Sequence, residues 1–232
     1  MTWSPGWFAE FMAVDGLRAS AVVVGGDFSF GERAVGGMTR LHDLGAQHGF
    51  GVEVVALEGD PEVWSSTLVR TRLARGDIPG VTEALGRWFA VRGEIVEGDR
   101  RGRLLGYPTA NLSIPRDVAI PPDGVYAGTL TDSRTGEVWP AAISVGSNPT
   151  FRGERARRIE SHALDRDDLD LYGAEVEVRF AKHLRGMVAF DSVNALVRQM
   201  RLDVAEVGEV VTTSAEPPAV GDRSGACGQI GA

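Results

Sequence analysis

Between Gly98 and Leu112 the chain reads GDRRGRLLGYPTANL, with Gly98, Gly102 and Gly106 spaced four apart and Arg100, Arg101 and Arg103 between them. Glycines let a backbone approach phosphates closely and aim N–H groups at them, and arginines are poised to offset phosphate charge. Pro108 then opens the run Pro-Thr-Ala-Asn. Thr109 and Asn111, two apart on an extended segment, point to one side. Each offers an oxygen of the kind Mg²⁺ takes, with phosphate oxygens and waters completing the octahedron. Composition alone favours a solvated Gly/Arg turn between two strands.

A second candidate is Glu160 in RRIESHAL. On a strand it shares a face with Arg158 and His162, opposite Ile159, Ser161 and Ala163. A carboxylate so placed can serve as a general base, although a solvent-facing role needs nothing further. His42, His48, His162 and His183 show no metal-ligand spacing, and His162 reads as structural or exposed. The cluster Asp165, Asp167, Asp168 and Asp170 lacks the spacing of a calcium loop and reads as an exposed acidic turn. VVVGGDFSFG does not fit G-x-G-x-x-G.

Composition narrows the classes. The 232 residues carry 24 basic and 32 acidic side chains, and the pI is about 5.1, which speaks against a nucleic-acid partner. Among the basic residues the only lysine is Lys182, in FAKHL, so a P-loop of the form G-x-x-x-x-G-K-[ST] is excluded. The single cysteine, Cys227, allows neither an internal disulfide nor a cysteine cluster. No basic-then-apolar leader opens the chain and no apolar run is long enough to span a bilayer. A cytoplasmic protein with no membrane partner is expected.

These residues need elements to position them. SAVVV (20–24) and VEVVAL (52–57) read as strands, with a helix between them placing Leu41 and Leu44 on one face, the βαβ pattern of a parallel sheet. A helix capped by Ser65 or Ser66 follows and stops at Gly76, and a shorter one ends at Gly86. From Trp88 the texture becomes short strands separated by Gly/Pro turns, suggesting a barrel or sandwich. The candidates are 124–130, 138–146, 157–164 and 174–180, where Val176, Val178 and Phe180 share a face. Val193, Leu196, Val197, Met200 and Val204 predict a final helix behind Asp191 or Ser192. The expected organisation is an α/β domain over 1–87, a β domain with its helix over 88–211, and a disordered tail over 212–232.

GRLLGYPTANL, GVYAG, SVGSNPTF, IESHALD, DLYG and LRGMVAFDS occur, in that order, as in the riboflavin kinase module of the bacterial two-domain riboflavin kinase/FAD synthetases. VVVGGDFSFG, WSSTLVR and ALGRWFAV resemble the rear of that family's adenylyltransferase domain, which makes 1–87 a partial FMN adenylyltransferase domain. The resemblance implies a six-stranded antiparallel barrel with a C-terminal helix, using ATP, Mg²⁺ and riboflavin and releasing FMN. It implies Glu160 as catalytic glutamate, and Thr109 and Asn111 at the metal- and ATP-contacting positions. Gly102, Arg103, Gly106 and Pro108 match the phosphate flap. Arg185 and Phe190 fall on the flavin side, and Ser65, Ser66, Thr67 and Arg70 belong to the adenylyltransferase remnant. The family's H-x-G-H pair, which grips ATP for adenylylation, does not occur in this chain. The expectation is therefore a riboflavin kinase. Two alternatives remain: the bifunctional enzyme, if the chain is a fragment, and a non-catalytic flavin- or nucleotide-binding module. A partial sheet is also expected to leave apolar surface open around Val22–Val24 and Val52–Leu57, favouring self-association.

Overall fold

The structure is a computed structural model describing residues 4–30, 36–57, 59, 62–98, 101–115, 117–147, 157–166 and 169–213. Arg100, Arg152, Arg155, Asp167, Asp168, the Asn148–Phe151 part of the SVGSNPTF motif and the segment beyond Thr213 lie outside the described residues. The chain divides into two compact units, Met1–Trp64 and Ser65–Ala232.

In the first unit, α1 (Pro5–Phe8) starts behind Ser4, whose Oγ accepts from the Trp7 N–H at 3.2 Å, and continues as a π-helical stretch, Ala9–Gly16. Strands β1 (Ala21–Gly25) and β2 (Gly51–Val55) pair in parallel, Val22 opposite Val52 and Val24 opposite Val54. Between them α2 (Met38–His48) completes the expected strand–helix–strand unit and ends at Gly49, whose φ of 81° is left-handed and suits glycine. Leu41 and Leu44 pack with Phe30 and Phe50 against Val22, Val24 and Val52. Within this unit Val23 and Val55 stay 58% and 48% exposed.

The second unit begins with α3 (Ser66–Ala74), capped by Ser65 Oγ accepting from the Leu68 N–H at 3.1 Å, and α4 (Ile78–Leu85), capped by Asp77. Then come β3 (Phe89–Val96), the short α5 (Arg101–Leu104), β4 (Ala110–Ser113), β5 (Gly124–Asp132), β6 (Val138–Ser147), β7 (Arg157–Ala163), β8 (Glu175–Arg185) and α6 (Val193–Thr213). The strands close into a six-stranded barrel in the order β3-β4-β7-β6-β5-β8, antiparallel at every junction described. Alternation sends Val176, Val178 and Phe180 inside, all fully buried, with Ile143, Val145 and Ile159. Tyr126 is also inside. Its hydroxyl donates to the Pro122 carbonyl at 2.7 Å, and burial pushes its pKa up to about 12, against a smaller lowering by Arg157.

Leu73, Ile78 and Val81 belong to the barrel's own core cluster. Helices α3 and α4 thus bury their apolar side with the barrel, and the compact units divide after Trp64, whereas residue 88 marks the change from helices to strands. Helix α6 covers one side of the barrel, packing Val207 and Val210 on Ala127, Ala142, Ala181 and Leu184. Its first turn does not share that face: Val193 is 60% exposed, because the packed stretch lies further along. The helix runs to Thr213, slightly past the expected boundary at 211.

On the barrel's outer surface Glu177 is clamped by Arg92 Nε at 2.6 Å and Arg179 Nε at 2.5 Å. Burial raises its pKa, but the two guanidiniums outweigh that and hold it below the usual carboxylate range. A depressed folded-state pKa contributes stability above the unfolded value, and that contribution disappears as pH falls through the folded pKa. The melting temperature is therefore expected to fall on acidification below about pH 4.3, and Glu177→Gln should flatten that part of the profile in a thermal-melt series.

Candidate active site

The Gly/Arg segment folds as a helical turn rather than an open loop. In α5 and the turn after it, the N–H groups of Leu105 and Tyr107 both donate to the Gly102 carbonyl, at 3.0 and 2.9 Å, and that of Gly106 donates to Arg103 at 3.2 Å. These three amides are spent inside the turn. Gly106 takes a φ of 82°, and a Cβ on Gly102 would stand 2.3 Å from the Tyr107 carbonyl oxygen, so both positions require glycine. The turn brings Arg103, Pro108 and Thr109 to a cleft of about 80 Å³ at the barrel mouth, shared with Ala110, Ser161 and Arg166. Ser161 is 1% exposed, and its Oγ has no hydrogen-bond partner among the described residues.

Asn111 lies one residue further along and alternates to the opposite face from Ala110. It pairs directly with Glu160 on β7, which in turn pairs with Ser144 on β6. Direct cross-strand partners share a face, so an amide, a carboxylate and a hydroxyl line up on three adjacent strands of the outer wall. Glu160 is half-buried there, while Ile159, Ser161 and Ala163 are buried inside, as the alternation predicts. Asn111 is 8% exposed, and its Oδ1 accepts no hydrogen bond among the described residues. An orphaned hard oxygen is a donor suited to Mg²⁺. No group of three or more His, Cys, Asp and Glu side chains that could hold a metal occurs among the described residues.

The same row continues to Arg185, since Ser144 pairs with Val125 and Val125 with Arg185. Three strand spacings put Arg185 about 14 Å from Glu160 along the wall. Its guanidinium is held by Asp203 in two bonds, 2.9 and 2.7 Å, and sits 5.8 Å from the Phe190 ring. Arg185 therefore fastens the strap 186–190 to α6. That strap returns over the wall: Met187 Cε comes 3.6 Å from where a Cβ on Gly146 would be, two residues from Ser144. Ser65, Ser66, Thr67 and Arg70 sit on the cap and first turns of α3, in the same compact unit as the barrel.

The structure gives two residues noted in the sequence a more definite part. A Cβ on Gly98 would stand 2.2 Å from the Asn111 amide nitrogen and 2.5 Å from its oxygen, so Gly98 is the seat of that amide. His162, read as structural or exposed, binds the Pro108 carbonyl through Nδ1 at 2.8 Å. The sequence marked Gly98 only as one of three glycines able to approach phosphate, and His162 only as a neighbour of Glu160 on its face.

Fold and site define a six-stranded barrel module with a polar row on its outer wall and an arginine-rimmed cleft at its mouth. A riboflavin kinase family model matches residues 85–211, and an FAD synthetase model matches residues 1–68. The chain belongs to the riboflavin kinase family. It is 35% identical over 209 residues to a bifunctional riboflavin kinase/FMN adenylyltransferase of Pseudomonas fluorescens, covering 90% of this chain and 66% of the relative. It is 32% identical over 194 residues to the protein of that name from Bacillus subtilis, covering 82% and 60%. The chain thus spans less than two thirds of the length of these curated relatives. A crystal structure from Streptococcus pneumoniae described as a macrolide-efflux protein superposes with a TM-score of 0.74 at 31% identity, covering 92% of this chain and 66% of that one. No helix among the described residues is long and apolar enough to cross a membrane.

Proposed function

We propose that this chain is a riboflavin kinase, transferring the γ-phosphoryl group of ATP to the 5′-hydroxyl of riboflavin to give FMN and ADP. The observation that carries the reading is the cross-strand pair Asn111–Glu160, with an orphaned amide oxygen beside a carboxylate and Thr109 two residues upstream. Phosphoryl transfer is mostly positioning and charge stabilisation. Thr109 and Asn111 are the residues that would hold Mg²⁺, which when bound neutralises phosphate charge. Arg103 at the cleft rim adds positive charge without a P-loop lysine. Gly102 and Gly106 let the turn come close to the phosphates; its amides at 105–107 are used internally, so side chains carry more of the grip. Glu160 orients the ribityl hydroxyl and accepts its proton. A carboxylate is too weak a base to strip an alcohol in advance, so the proton moves as the P–O bond forms. The strap carrying Phe190, fastened by Arg185, is the flavin side.

The match of residues 1–68 to an FAD synthetase model favours a second reading, in which FMN is also adenylylated. Incubation with riboflavin, ATP and Mg²⁺, followed by separation of flavins, should yield FMN. FAD and pyrophosphate formation would establish the second reading, and bound riboflavin with no product would favour a non-catalytic module.

Parallel sheets ordinarily bury both faces, and Val23 and Val55, on the face turned away from α2, are exposed. The chain is accordingly expected to self-associate and to bind a hydrophobic dye through this patch. Light scattering that finds a dye-silent monomer contradicts this, and Val23→Lys should reduce both signals.

A further inference from the structure

We propose that His162 is a positioning residue for the nucleotide loop: its Nδ1–H holds the Pro108 carbonyl and so sets where Thr109 stands. The inference rests on the kinase reading above. Pairing between β4 and β7 runs Leu112–Ile159, Asn111–Glu160, Ala110–Ser161 and stops there. Continuing that register puts His162 opposite Thr109, where the strand has already ended. Pro108 has no N–H to extend the ladder. The imidazole supplies the missing rung from its side chain, with Nδ1 2.8 Å from Pro108 O. A carbonyl oxygen only accepts, so Nδ1 carries the proton in this contact. The Tyr107 ring meets the imidazole edge-on, centroids 5.3 Å apart at 68°, and fixes the ring's orientation.

The placement matters because His162 shares β7, and one face of it, with Glu160 two residues away. One strand therefore carries both the proposed base and the anchor of the loop that bears the phosphate-side residues. The ladder holds Asn111 against Glu160, and beyond its end a single side-chain hydrogen bond holds the Pro108–Thr109 segment to the same strand.

The test compares His162→Ala, His162→Asn and His162→Gln in the full chain. The asparagine amide nitrogen takes the place of Nδ1, and the glutamine nitrogen that of Nε2. Calorimetric titration with Mg·ADP should show about fivefold weaker binding for the Ala and Gln variants, the worth of one neutral hydrogen bond. His162→Asn should stay within about twofold of wild type, and KM for riboflavin should be unchanged in all three. Unchanged Mg·ADP affinity in His162→Ala, or equal weakening in Asn and Gln, overturns the proposal. So does a shared loss of melting temperature that tracks the binding loss in all three. A wild-type chain that binds Mg·ADP but forms no FMN overturns the kinase reading while the titration still decides this one; a wild-type chain that binds no Mg·ADP overturns both.

Discussion

Replacing Glu160 with glutamine is expected to lower kcat for FMN formation by about 10²- to 10⁴-fold, the usual contribution of a positioned general base. The affinity for Mg·ATP should stay within a few-fold of wild type. Glutamine keeps the shape and can still accept a hydrogen bond from the ribityl hydroxyl, but it cannot take the proton as the hydroxyl attacks. The residue stands in mid-strand between Asn111 and Ser144, so its loss leaves the row and the barrel interior intact. An effect on kcat without a matching effect on nucleotide binding separates a role in transfer from one in binding. Initial rates over a riboflavin–ATP grid give both constants, and near-normal turnover would sink the assignment.

Gly98→Ala should give the second large effect, of the opposite kind. The new methyl group would stand between 2.2 and 2.5 Å from three atoms of the Asn111 amide, far inside contact distance. A side-chain end can move where backbone cannot, so the expected response is a displaced Asn111 rather than an unfolded barrel. Outer-sphere changes around a ligand side chain cost about 10–100-fold in metal affinity or activity. A loss of that order is expected in the Mg²⁺ concentration needed for half-maximal rate, with the melting temperature little changed. A variant that titrates Mg²⁺ like wild type would remove Asn111 from the metal's surroundings.

The fold was legible where one periodicity dominated. Alternation in EVEVRF placed Val176, Val178 and Phe180 inside the barrel, and Leu41 and Leu44 marked the buried face of α2. Ser65 and Ser192 announced helix starts, because a hydroxyl accepting from the third following N–H is a local device. The grouping of α3 and α4 with the barrel was not legible, since what an apolar helix face packs against is a tertiary fact. The Gly/Arg segment misled in one respect. Its glycines suggested amides turned outward, whereas a helical turn occupies those at 105–107. Glu160 was visible as a carboxylate on the polar face of its strand, whereas Thr109 falls before β4, outside the alternation expected to pair it with Asn111. That Asn111 and Glu160 are direct partners depends on the register between β4 and β7, which no local pattern encodes. Gly98 and His162 act through groups elsewhere in the sequence, at positions 111 and 108, so their contacts stayed hidden although the residues themselves were noted.

The most direct test is the stoichiometry of the reaction. The purified chain, given riboflavin, ATP and Mg²⁺, is followed by simultaneous quantitation of ADP and FMN. The account predicts one FMN for each ADP released, and no ADP when riboflavin is left out. ADP formed without FMN, or neither product from a folded chain that binds both substrates, would contradict it.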